Sequence, residues 1–125
     1  MVRLESVQAA ADHARHIARR LVTGDDAPYA AVPWFWSDQG DLKLQIAGLG
    51  FDADRRVVAP SPPEKPVVLS FAGDRLVAVE TVNAPAPHMA TRRLLAAGRT
   101  VTLAELEAAD LDLPRLAKER AAVSA

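Results

Sequence analysis

The sequence predicts an α+β domain: an N-terminal helix, a three- to five-stranded antiparallel sheet, and C-terminal helices on one face of the sheet. Three observations carry this expectation. Residues 6–23 place apolar side chains at helical spacing. Residues 42–46 and 67–82 alternate or run apolar as strands do. From about Pro87 onward the helical period returns.

In the first helix, Val7, Ala10, Ala11, Ala14, Ile17, Ala18 and Leu21 fall on one stripe. Ser6 can cap its start by accepting from an exposed backbone N–H, and Gly24 can stop it after Arg19 and Arg20. So many small residues on the stripe imply a tightly packed partner. "DDAPYAAVPWFW" follows, with two prolines, and reads as an ordered loop. "DLKLQIAG" alternates Leu42, Leu44 and Ile46 against Lys43 and Gln45, the signature of a half-buried strand. "RRVVA" is a weaker strand, and the proline-rich "APSPPEKP" can only be a connection. Val67 to Val82 read as a hairpin turning at Gly73-Asp74. A helix is expected from about Pro87 to Gly98. A short one capped by Thr102 runs through Leu106, and a last one opens at Asp112 with Pro114 in its first turn.

Composition narrows the function classes. The chain has 125 residues and a formal net charge of −1, so it lacks the basic excess of a nucleic-acid footprint. With no cysteine, it cannot build disulfides, thiolate zinc sites or iron–sulfur ligation from its own residues. No apolar run reaches membrane-spanning length, and the first residues lack a signal-peptide core, so a cytoplasmic location with no membrane partner is expected.

Catalytic motifs are missing too. His13 and His16 lie three apart but lack a carboxylate at matching spacing beyond nearby Asp12, so they read as helix-surface residues. His88 reads as a surface or capping residue at a helix start. "GLGFDA" lacks the third glycine of a dinucleotide fingerprint and reads as a turn. Neither a catalytic residue nor a metal ligand is assigned.

One stretch stands out. "PWFWSDQ" holds three of the six aromatic residues, Trp34, Phe35 and Trp36, next to polar Ser37 and Asp38. If extended, it points Trp34 and Trp36 one way and Phe35 the other. It is either a hydrophobic plug on the sheet or a platform for a planar ligand, with one flat face and one hydrogen-bonding edge.

"RLESVQAAAD", "VPWFWSDQGDLKLQIAGL" and "AVETVNAP" together resemble the C-terminal part of FAD-dependent ferredoxin reductases, the kind coupled to oxygenases. The resemblance runs over nearly the whole chain. It implies that residues 1–24 form a helix at the junction with an FAD domain, and that 25–125 form the reductase C-terminal α+β domain. In such reductases hydride passes from NAD(P)H to FAD, and single electrons then pass to a [2Fe–2S] ferredoxin. The resemblance assigns Glu5, Ser6, Val7 and Gln8 to a helix start beside the flavin, and Phe35, Trp36 and Ser37 to a flavin-side loop. Trp36 would be the edge contact and the electron exit. The implied partners are the ferredoxin and the FAD- and NAD-binding domains. FAD would be held by the full-length reductase, so hydride transfer is not expected from these 125 residues alone. A stand-alone interaction module derived from the same domain is the alternative. In a full reductase the FAD domain would cover the helix stripe and aromatic segment, so the isolated chain is expected to self-associate through them or to reposition its first helix.

Overall fold

A computed structural model describes residues 2–123. Helix α1 (Val7–Thr23) is followed by strands β1 (Trp34–Gln39), β2 (Leu42–Gly48), β3 (Arg55–Val58), β4 (Val67–Ala72) and β5 (Arg75–Val82), then helices α2 (Pro85–Ala96), α3 (Leu103–Ala108) and α4 (Leu113–Val123). The strands form one antiparallel sheet in the order β1-β2-β5-β4-β3. This is the expected α+β architecture, with the sheet at the upper end of the expected strand count.

The aromatic segment corrects one expectation. Trp34–Gln39 is not a loop but the edge strand, paired along its whole length with β2. Its cause is local. Gly40 takes φ 60 and with Asp41 closes a two-residue turn, which the bare Cα of glycine tolerates. The half-buried strand after that turn needs a partner, and Trp-Phe-Trp supplies side chains suited to a pleated surface. The two prolines stay upstream, and the Pro33 carbonyl accepts from Gly48 N–H at 2.8 Å.

The core lies on one side of the sheet. Val67, Leu69, Phe71, Leu76 and Val79 pack there against Leu94 of α2, Leu106 of α3, and Leu113 and Leu116 of α4. A register shift at Ser70/Phe71 brings both Phe71 and Leu76 into that core. Helix α2 lies over β2 and β5. It begins at Pro85, two residues earlier than expected, because Pro85 and Pro87 both fall in the first turn, where a missing N–H costs nothing. Thr102 and Glu105 form a complete capping box for α3. Glu105 also accepts from Arg120 of α4 at 2.8 Å, tying the last two helices together. Those contacts, the Arg120 hydrogen bond foremost, hold the Glu105 carboxyl below its ordinary range.

Asn83 explains part of the "AVETVNAP" motif. Its backbone sits at φ 50, and its Oδ1 accepts from Lys43 N–H at 2.9 Å while its own N–H donates to the Lys43 carbonyl at 3.0 Å. Asparagine tolerates that backbone region better than most residues. The pair fixes β5 to β2 just before α2 departs.

Helix α1 is capped as expected, by Ser6 Oγ accepting from Ala9 N–H at 3.1 Å and by Gly24 at φ 69. Its apolar stripe lacks the tight partner that its small residues suggest. Val7 is 73% exposed, Ile17 56% and Leu21 82%, and only Gln8 and Ala9 are buried.

Candidate functional site

The pleat of β1 builds two different surfaces from three consecutive aromatics. On the α2 side, the Trp34 and Trp36 rings stack at 5.2 Å between centroids, with planes 28° apart. The Arg92 guanidinium lies over the Trp34 ring at 4.1 Å, a cation held against the negative face of an indole. His88 meets the same ring edge-on at 5.9 Å.

His88 corrects a second expectation. It is fully buried rather than a surface or capping residue. Helical spacing places it on the same face as Thr91 and Leu94, which are buried with it. Neither ring nitrogen has a hydrogen-bond partner. Burial, and then the charge of Arg92, push its pKa below the ordinary imidazole value, so the ring stays neutral.

On the other side of β1, Phe35 opens onto a cavity of about 380 Å³. Arg3, Leu4, Glu5 and Ser6 close one wall of it, while Ile46, Gly48 and Phe51 close another. Gly48 belongs there for a steric reason. It has φ 85, and a Cβ on it would meet the Val77 carbonyl oxygen at 2.1 Å. Ser6, the N-cap of α1, lies in this wall, and the helix has no acidic residue in its first turn. Ser6 satisfies the amides of Ala9 and, through its carbonyl, Ala10. The amides of Val7 and Gln8 lie ahead of those bonds.

Gln8 joins α1 to the sheet. Its Oε1 accepts from Trp34 N–H at 3.2 Å, and its Nε2 donates to the Asp12 carboxylate. Of the residues singled out in the sequence, then, Glu5, Ser6 and Phe35 line one cavity, and Gln8 braces it from behind. Val7 points to solvent. Trp36 faces a separate depression of about 510 Å³ with Asp38, Lys43, Gln45 and Asn83. Ser37 returns to the Phe35 side, where its hydroxyl accepts from Gln39 Nε2 at 3.0 Å. These residues flank an edge strand rather than share one loop surface. Sequence reasoning missed Arg92, for which spacing offers no signal, and His88, whose helical phase with Thr91 and Leu94 was available.

His13 and His16 pack against Tyr29, with ring centroids 4.2 and 5.6 Å away. Among the described residues, no group of three or more His, Asp or Glu could hold a metal. Nor is any helix there long and apolar enough to cross a membrane.

Residues 34–117 match the family described as "Reductase C-terminal". The chain belongs to that family. It is similar to rhodocoxin reductase of Rhodococcus erythropolis, 46% identical over 114 residues, which covers 90% of this chain and 26% of that protein. Solved structures share its fold. A ferredoxin reductase from Rhodopseudomonas palustris superposes with a TM-score of 0.81 at 41% identity, over 93% of this chain and 29% of that one. Putidaredoxin reductase in its covalent complex with putidaredoxin gives 0.79 at 34% identity, over 92% and 28%. The chain therefore spans between a quarter and a third of these relatives. It is a domain of the kind found in ferredoxin reductases related to putidaredoxin reductase.

Proposed function

We propose that this chain is the flavin-capping, ferredoxin-docking domain of an NAD(P)H-dependent ferredoxin reductase that uses FAD and serves an oxygenase. The observation that carries this reading is the edge position of β1. An edge strand leaves half of its backbone amides and carbonyls unpaired, and alternate side chains flank them on both sides. A planar ring brought against that edge meets Phe35 on one face and Trp36 on the other, with the Ser37 hydroxyl within the same strand. The amides of Val7 and Gln8 at the start of α1 suit the electron-rich rim of such a ring.

FAD, when bound, would supply the conversion of a two-electron hydride into single electrons. This chain's own residues do the rest. Glu5, Ser6, Val7, Gln8, Phe35, Trp36 and Ser37 would border the ring and keep water from it. Gln8 would keep the α1 start and β1 in register through its bond to Trp34 N–H. The exposed edge of Trp36, 38% accessible, would lie where a [2Fe–2S] ferredoxin approaches. The putidaredoxin complex supports a protein redox partner in general, because there a relative of this chain is bound to putidaredoxin. The FAD and NAD domains would occupy the part of the relatives' length beyond this domain, and the site of action would be the cytoplasm.

A chimera tests the reading. The matching C-terminal part of rhodocoxin reductase is replaced by this chain. The chimera is expected to retain FAD through gel filtration and to reduce a [2Fe–2S] ferredoxin with NADH. A folded chimera that loses FAD would overturn the capping role. One that keeps FAD and reduces a small dye, but not a ferredoxin, would overturn the docking role alone.

A further inference from the structure

A groove runs between α2 and α4, on the helical layer. Its volume is about 780 Å³, within the roughly 300–1,000 Å³ span of small-molecule sites. The floor is apolar: Met89, Ala90 and Leu94 from α2, and Ala117 and Ala121 from α4. All of its charged lining residues, Arg93, Arg99, Lys118 and Arg120, are basic.

Those four are not equivalent. Arg120 bonds Glu105 at 2.8 Å, and Arg99 approaches the same carboxylate at 4.0 Å. Arg93 and Lys118 enter no ion pair among the described residues. One rises from α2 and the other from α4, so two uncompensated cations border an apolar floor from opposite walls. Alanine on both helices opens the floor, because larger side chains there would fill it.

We propose that this groove binds a small amphipathic carboxylate, such as a medium-chain fatty acid. Its tail lies along Met89 and Leu94, and its carboxylate sits between Arg93 and Lys118. A carboxylate suits a rim whose charged residues are all basic, and an apolar floor suits a tail rather than a polar body. The proposal does not depend on the flavin-capping role.

The test uses the 125-residue chain. Decanoate is titrated below its micelle concentration and followed by amide chemical shifts. Saturable shifts are expected at Met89, Arg93, Lys118 and Ala121. The double variant Arg93→Glu/Lys118→Glu should weaken binding by about tenfold or more, and Ala121→Trp, at an exposed position, should block it. Acetate and decanol are the controls, lacking tail and charge respectively. Binding of decanol as tight as decanoate would overturn the proposal, as would wild-type affinity in the double variant. Acetate shifting the same residues equally would reduce the site to surface ion pairing. A dimer in light scattering that Ala121→Trp dissociates would assign the groove to a second copy of the chain and overturn it as well.

Discussion

The guanidinium of Arg92 rests 4.1 Å from the centre of the Trp34 ring, and Trp34 in turn stacks on Trp36. One helical cation thus fixes the inner member of a tryptophan pair whose outer member is exposed. Arg92→Ala is expected to cost about 0.5–1 kcal/mol of stability, the size of a partly exposed cation–π contact. Tryptophan emission should shift to the red as the pair loosens. Urea unfolding and a fluorescence spectrum check both, and an unchanged midpoint and spectrum would show that the contact is incidental.

Gly48 is held by sterics rather than by flexibility alone. Gly48→Ala would put a methyl into the Val77 carbonyl at φ 85. A loss of more than about 2 kcal/mol is expected, combining backbone strain with a displaced β2–β5 crossing. Gly40→Ala offers the comparison, since φ 60 there meets open space. It should cost less, because only the strain remains. Equal losses would contradict the steric account.

Asn83 closes the β2–β5 junction through its reciprocal bonds with Lys43. Asn83→Ala removes the side-chain bond and places a residue less suited to φ 50. Together these should cost about 1–2 kcal/mol by chemical denaturation. Asn83→Gly keeps the backbone region and should recover part of the loss.

His88 makes stability depend on pH. Its folded pKa lies below the ordinary value, so the unfolded chain binds the proton more readily. Stability from this group is complete above about pH 6.5, the ordinary imidazole value, and is lost as pH falls from there toward the lowered folded value. Thermal unfolding between neutral pH and pH 5 should show a steeper decline for the wild type than for His88→Phe. Parallel declines would mean that the imidazole is not shielded in the folded state.

The apolar stripe of α1, with Val7, Ile17 and Leu21 exposed, is predicted to drive self-association of the isolated chain. Light scattering at rising concentration should show a dimer, and Ile17→Glu/Leu21→Glu should return it to a monomer. A strict monomer at all concentrations would contradict this.

Most of the fold was legible because its signals are local. Ser6, Gly24 and Thr102 cap where their side chains or backbone freedom predict. The hairpin at Gly73-Asp74 follows from alternation and a turn pair. The errors came from non-local causes. Trp34–Gln39 became a strand because β2 required a neighbour, and two upstream prolines masked that need. His88 looked superficial by residue type, although its helical phase matched buried Thr91 and Leu94. The cavity beside Phe35 depends on the chain before α1 folding back over β2, which no periodicity reports.

The central claim is that the β1 edge closes against the flavin, and the flavin itself can report it. An electron-rich indole in contact with an excited flavin quenches its emission by electron transfer. In the rhodocoxin reductase chimera, with FAD retention verified by gel filtration, Trp36→Leu is predicted to raise flavin emission several-fold over the unsubstituted chimera. Leu42→Ala, in the β2 strand that pairs with β1, should leave it unchanged. Equal emission from the Trp36→Leu and unsubstituted chimeras, with FAD bound in both, would contradict the account.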